Sequence, residues 1–429
     1  MAAAPTMLVE VGFDVSSTGG PFFLWAASTA TPATAPQSVF DNNQYRFGGV
    51  LYYDVTSRAD SISIQRGRSR ELDKFQTGTA NIHFQNLDRA FDPFYTSSPY
   101  YPDVRPRRQV RITAGGTVVF TGQVESWDVD YQVDGDNTAV ASCADAFTLF
   151  GGQQLTGYTA TSQASGARVA SVLNRPEVNW NTTLRSIATG AATLQADVVD
   201  DGREVLDYLQ LIEASEPGYL FMSKTGSVVF KDRNTAAAVG TAVFSDVASS
   251  TAIPYIDLGV TYGTELMYNR VSVSILNGSV QTVSNTASQN DYGISQLTWS
   301  SLLIDTDANA LALANYLLGK YKQPDLRFDS LTIELSGLSA TQQATVLARE
   351  LTDLIVVTYT PNKIGSAITK NVQILNIRHD VRPDSHKITF GLGSTDTAAM
   401  VWAGGTVTSG TAVAAQYPFS IIGTSTFGL

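Results

Sequence analysis

Apolar and polar residues alternate with a period of two through much of the first 150 positions. Ile62 and Ile64 alternate with Ser61, Ser63 and Gln65, and Ile82 and Phe84 with Asn81, His83 and Gln85. Val110 and Ile112 alternate with Gln109, Arg111 and Thr113, and Trp127, Val129, Tyr131 and Val133 with Asp128, Asp130 and Gln132. Such a pattern sets one face of each strand in a core and the other outward. Gly115-Gly116 and Asp134-Gly135-Asp136-Asn137 supply tight turns. Met7 to Phe13 predicts an opening strand. A long Ala-, Thr- and Pro-rich loop follows it, with one apolar patch, Pro21-Phe22-Phe23-Leu24-Trp25. Strands this closely spaced predict a barrel or a sandwich.

The period then changes. Arg168 to Leu173 predicts a short helix. Asp201-Gly202-Arg203-Glu204 has the form of a helix cap, followed by Val205, Leu206, Leu209 and Ile212 on one helical face and a stop at Glu216-Pro217-Gly218. A hairpin is expected next, Gly218 to Met222 against Val228 to Phe230. Strands return at Arg270 to Ile275 and Val280 to Val283, around an Asn277-Gly278 turn. A helix from Asp305 carries Leu311, Ala314, Leu317, Leu318 and Tyr321. Ser339-Ala340-Thr341-Gln342 reads as a capping box ahead of Val346, Leu347 and Leu351. Strands at Leu354 to Tyr359, Val372 to Ile377 and Lys387 to Leu392 complete the block. The expected class is mainly β with an α+β insert. An N-terminal extension and a first β-barrel-like domain span 1–150, a smaller α/β domain 151–235, and a second β-barrel-like domain with helices 236–395. Residues 396–429 form a Gly/Thr-rich tail, and no fixed-period repeat occurs.

Charge narrows the range of functions. Charged residues are 16% of the 429, against roughly a quarter in typical domains, so this surface costs little to bury against another subunit. The net charge is −11, the wrong sign for a protein that grips phosphates. An acidic wall would instead let a duplex slide past. The single cysteine, Cys143, excludes an intrachain disulfide framework and a cysteine-based zinc cluster; its apolar flanks predict burial. No secretory signal opens the chain and no stretch of about 18 apolar residues occurs, so synthesis in a cytoplasm with no membrane span is expected.

A search for reaction chemistry finds little. The three histidines are His83, facing outward on its strand, and His379 and His386, flanking the turn Asp380 to Asp384. None stands in a metal-binding helix motif, and none has the company a serine nucleophile requires. Phosphate-loop and nucleophile-elbow patterns are absent. Asp128/Asp130 and Asp134/Asp136 miss the calcium-loop spacing and fit a solvated turn better than paired catalytic carboxylates. Asp200-Asp201 is assigned to helix capping. No catalytic residue, metal or cofactor is expected. The one basic cluster is Arg105-Pro106-Arg107-Arg108-Gln109-Val110-Arg111. Arg105, Arg107, Arg108 and Arg111 are expected to pair with acidic residues of this or a neighbouring subunit rather than with nucleic acid, because the rest of the chain is acidic. In the tail, Tyr417, Phe419, Ile421, Ile422 and Phe427 are apolar residues on a Gly/Thr tether, expected to dock on another protein or a neighbouring copy.

An ordered series of short motifs carries a family resemblance. It runs Asp54-Val55-Thr56-Ser57, Ile62-Ser63-Ile64-Gln65-Arg66-Gly67-Arg68-Ser69-Arg70-Glu71-Leu72, Gly78-Thr79-Ala80, Asn86-Leu87-Asp88-Arg89-Ala90-Phe91-Asp92-Pro93, Ser98-Pro99-Tyr100-Tyr101-Pro102, the arginine run, and Phe120-Thr121-Gly122. The series resembles the minor tail proteins of siphophages that infect actinobacteria. The later layout, about 50–395 in all, resembles the central tail-tip or baseplate hub proteins of phage tails and related injection machines. That resemblance implies a tail-hub-like fold and a non-enzymatic homotrimer in the virion tail tip. Its two barrel-like domains per chain would close the end of the tail tube and adapt sixfold to threefold symmetry. The implied partners are the distal-tail ring protein, the tape measure protein and other minor tail proteins, with DNA only in transit. A hexameric distal-tail ring protein is the alternative within this class. A tail-borne glycan-binding or cell-wall hydrolase protein is the alternative outside it.

Overall fold

The computed structural model describes residues 3–14, 51–133, 135–233, 242–247 and 252–395. The Pro21 to Trp25 patch, Asp134 and the whole 396–429 tail lie outside them. The alternating runs form strands. Gln76–Gln85 buries every second residue, including Ala80, Ile82 and Phe84, and Gln109–Ala114 does the same through Val110 and Ile112. The two apolar runs around Phe120 and Trp127 are one strand, Thr117–Asp130, whose register shifts between Val124 and Ser126.

One sheet of fourteen strands runs through both β regions. In the first, Ala59–Gly67, Gln76–Gln85, Thr138–Ala144, Thr117–Asp130, Gln109–Ala114, Met7–Asp14 and Leu51–Asp54 follow one another as antiparallel neighbours. The spine of the second is the long strand Ile368–Arg382. Its first half pairs with Leu354–Tyr359, and its second half, Asn376 to Val381, pairs with Ile62 to Gly67 of the first region. Ser385–Ser394 lies along its other edge and leads to Leu326–Glu334 and Asp257–Tyr262. A single apolar cluster follows the sheet, from Val9 to Leu392.

Six α-helices occur among the described residues: α1 Phe147–Gly151, α2 Ser165–Leu173, α3 Val205–Ser215, α4 Thr286–Tyr292, α5 Asp307–Tyr321 and α6 Ala340–Ala348. The insert packs α2 and α3 with the hairpin Tyr219–Met222/Val228–Lys231, as expected. Two-residue ladders stitch its loops, and one of them corrects the expected start of α3. Arg203 and Glu204 pair with Leu155 and Gln154, so the backbone is extended until Val205. Asp201 therefore does not cap the helix; its Oδ1 accepts the Gly157 amide at 2.5 Å and ties two loops together. The capping box at Ser339 and Gln342 is present. In α5 the buried stripe is Ala310, Leu313, Ala314, Leu317 and Tyr321, while Leu311 faces out. That stripe covers Val271 and Val273 of a separate three-stranded sheet, Gln281–Ser284, Arg270–Ile275 and Gln296–Leu302, and makes a second core.

Candidate functional site

The segment Arg66 to Leu72 leaves the end of one strand and joins the parts of the chain to one another. It begins where Gly67 pairs with Asn376 of Ile368–Arg382, next to a register shift between Ile374 and Asn376 in the pairing of that long strand with Ser385–Ser394. Gly67 sits there at φ +116°, where a Cβ would come within 2.2 Å of the Leu375 carbonyl oxygen. Only glycine combines that backbone angle with that closeness. The Arg68 amide then donates to the same carbonyl at 2.9 Å.

Arg66, 3% exposed, donates from Nη2 to Glu350 Oε1 at 2.7 Å and to the Met222 carbonyl of the insert hairpin at 2.8 Å. Glu350 also accepts the Lys224 amide at 2.9 Å and the Leu351 amide at 2.9 Å. Burial pushes the Glu350 carboxyl up, but Arg66 and these backbone donors outweigh it and leave the pKa below its ordinary value. Lys224 Nζ donates to the Leu347, Ala348 and Arg349 carbonyls at 2.8, 2.9 and 3.1 Å, satisfying the open C-terminal end of α6. One ion pair thus holds the first β region, the insert and the second β region together.

Five residues after Arg66, Glu71 does the same for α5 and the last strand. Its carboxylate accepts from Tyr321 Oη at 2.9 Å and Lys320 Nζ at 2.9 Å on one oxygen. The other accepts from the Ser394 amide at 2.6 Å and hydroxyl at 2.7 Å. Burial opposes its ionisation, and Lys320 and Ser394 overcome that, so the pKa is lowered. Between them, Arg68 stacks over Phe75 and Tyr219 at 4.8 and 5.3 Å, and Arg70 pairs with Glu265 at 2.8 Å.

The loop Asn86 to Val104 is equally built. Phe91 stacks on Phe84 at 4.3 Å and on Tyr100 and Trp127 at 5.5 Å, and Phe13 stacks on Tyr100 at 4.3 Å. Asn86 and Asp92, both fully buried, accept the Phe91 and Phe94 amides, and Arg58 clasps Asp88 with two hydrogen bonds of 2.7 and 2.8 Å. The sequence marked this loop as a motif; its aromatic stack was not legible there.

The arginine run spans the loop before the strand Gln109–Ala114 and the start of that strand, and three of its four arginines meet acidic partners within the chain. Arg111 forks onto Glu10 at 2.7 and 3.0 Å, Arg107 reaches Glu125 at 3.2 Å, and Arg108 pairs with Asp103. Arg105 donates to the Pro102 carbonyl at 2.6 Å. Arg105 and Arg107 remain exposed. Tyr417, Phe419, Ile421, Ile422 and Phe427 lie outside the described residues.

His83 is exposed on its strand. His379 and His386, expected only to flank a turn, meet in the core with Nδ1 and Nε2 3.0 Å apart. Burial holds both below the ordinary histidine pKa, His386 at about 4, so the pair is neutral at pH 7. Among the described residues no carboxylate hydrogen-bonds either ring, and no group of three or more His, Cys, Asp or Glu is placed to hold a metal. Cys143 is buried, and burial raises its thiol pKa far above the usual range, which makes it inert. No helix among the described residues is long and apolar enough to cross a membrane.

This architecture, a large antiparallel sheet with an α/β insert locked into it, is a tail-protein fold. It is similar to a tail protein from Neisseria meningitidis, with a TM-score of 0.55 at 12% identity over 80% of this chain and 93% of that one. It is similar also to the 43 kDa tail protein of prophage MuSo2 from Shewanella oneidensis, with a TM-score of 0.56 at 12% identity over 81% of this chain and 97% of that one. No protein-family model matches the chain, and no curated protein matches it.

Proposed function

We propose that this chain is a structural tail-tip hub of a siphophage, and that copies of it form a closed ring at the end of the tail tube. The observation that carries the reading is the extent of the fold likeness. Nearly the whole of two tail proteins is matched, 93% and 97% of their lengths, over about four-fifths of this chain. The internal ties around Arg66 and Glu71 suit such a role, because a ring element that transmits force must move as one body. In this reading the ring is a homotrimer with heterologous contacts, adapting sixfold to threefold symmetry. It meets the distal-tail ring protein, the tape measure protein and other minor tail proteins, and DNA passes through its lumen. The net charge of −11 favours passage over retention, since like charge repels phosphate.

Arg105 and Arg107, exposed in the loop that leads into Gln109–Ala114, are proposed subunit contacts together with the apolar residues of the tail, whereas Arg108 and Arg111 serve mainly within the chain. The chain is read as non-catalytic, since the chemistry-bearing groups that are buried are engaged in structure. Gold-labelled antibody raised against the chain tests the reading on virions that contain it. Label confined to the tail tip is expected. Label along the tube or on the capsid would overturn it.

A further inference from the structure

A cleft of about 440 Å³ opens between α3, the loop Leu72 to Lys74 and the strand Gln296–Leu302. This strand is an edge: it pairs with Arg270–Ile275 on one side only, and Thr298, Trp299 and Ser300 line the cleft. An open edge beside a groove is a place where an extended peptide can add as a further strand.

The charge of the cleft runs against that of the chain. Arg68, Lys74, Arg203, Arg233 and Lys320 line it, five cations in a chain of net −11. The acids there are Asp73, Asp207 and Glu213. Lys320 is already matched by Glu71. Glu213 is 5% exposed, and burial raises its carboxyl to about 7, so a large fraction is uncharged at neutral pH. Lys74 and Arg203 stand exposed at the rim.

Two buried polar atoms on the wall lack partners. Arg68 is 8% exposed, and its Nε has no hydrogen bond; Glu213 Oε2 has none either, its other oxygen accepting the Leu220 amide at 3.1 Å. A buried donor left open costs free energy unless something meets it. A guanidinium in the wall is a charge that a carboxylate seated in the cleft complements. Leu72 and Trp299 add apolar surface to the lining.

We propose that this cleft binds an acidic, extended segment of another protein, which adds to the Gln296–Leu302 edge and places carboxylates against Arg68, Lys74 and Arg203 and apolar side chains against Trp299 and Leu72. Alternate residues of a strand face opposite ways, so the segment that fits alternates acidic with apolar residues. The experiment is fluorescence anisotropy with the full chain and a fluorescein-labelled hexapeptide alternating glutamate with leucine. A hexapeptide with glutamine in place of glutamate and a labelled oligothymidylate serve as comparisons.

Saturable binding of the glutamate peptide is expected, with affinity falling as salt rises. The double variant Lys74→Glu, Arg203→Glu changes only exposed side chains and should weaken it about tenfold or more. Arg68→Gln, checked for folding by circular dichroism, should weaken it as well. The proposal is overturned if neither peptide binds, if the glutamine peptide binds as tightly, if the rim variant binds unchanged, or if the oligothymidylate binds in preference.

Discussion

Replacing Glu350 with alanine tests the tie at the centre of the fold. The change leaves Arg66, 3% exposed, with the Met222 carbonyl but no counter-charge, and it strips the Lys224 and Leu351 amides of their acceptor. Breaking a buried ion pair from one side costs about 3–5 kcal/mol. The Glu350 side chain is 20% exposed, so water can enter and the lower end, about 3 kcal/mol, is expected. Urea unfolding followed by tryptophan fluorescence reads this as a lower midpoint at unchanged slope. Arg66→Met combined with Glu350→Ala removes both charges, so the pair of changes should cost less than Glu350→Ala alone by about 1–2 kcal/mol. Hydrogen exchange should rise in the hairpin Tyr219 to Lys231. The carboxyl's pKa is lowered in the fold, so its contribution is present above the ordinary value of 4.5 and is lost as pH falls through the folded value. A loss below about 1 kcal/mol at pH 7, or a double variant no better than the single, would refute the reasoning.

Other perturbations follow from the same geometry. Gly67→Ala puts a Cβ 2.2 Å from the Leu375 carbonyl at φ +116° and should destabilise the chain by about 3 kcal/mol or more in the same titration; a loss under about 1 kcal/mol would show that the backbone there relaxes. Phe91→Ala empties the centre of the aromatic stack, and a loss of about 3–5 kcal/mol is expected, with new protease cuts between Asn86 and Val104 as the direct readout. Glu213→Gln concerns pH. The folded pKa, about 7, is raised from 4.5 by burial, so the native state holds the proton more tightly and stability falls as pH rises between those values. The glutamine variant should lose that slope and exceed the parent by roughly 1–3 kcal/mol at pH 8. A parent already flat across this range would contradict the assignment.

What the sequence disclosed and what it hid divide along range. Strands with strict alternation, the Tyr219 hairpin and the Ser339 capping box are local, and each was legible from neighbours a few positions apart. Pairing between Ile62–Gly67 and Asn376–Val381 is not local: the pattern shows that each is a strand but carries nothing about which strands meet. The Arg66–Glu350 pair spans 284 positions, and the His379–His386 contact depends on a hairpin register set by the turn between them. The start of α3 was misplaced because a two-residue ladder, too short to show a period, keeps Arg203 and Glu204 extended. In the arginine run, Arg107, Arg108 and Arg111 pair with acids within the chain, and the sequence alone could not say whether such partners lie in the same chain or a neighbouring one. The Arg66 to Leu72 motif stood out as a resemblance before any physical role could be given to it. Its function as a lock emerges only once its partners from the insert, α5 and the last strand are folded around it.

The ring-forming hub is tested most directly by the mass of the full-length protein in solution, measured by light scattering across a concentration series. The account predicts a particle of three times the 46.0 kDa chain. A hexamer would contradict it in favour of a distal-tail ring, and a monomer at every concentration would contradict ring formation by this chain on its own.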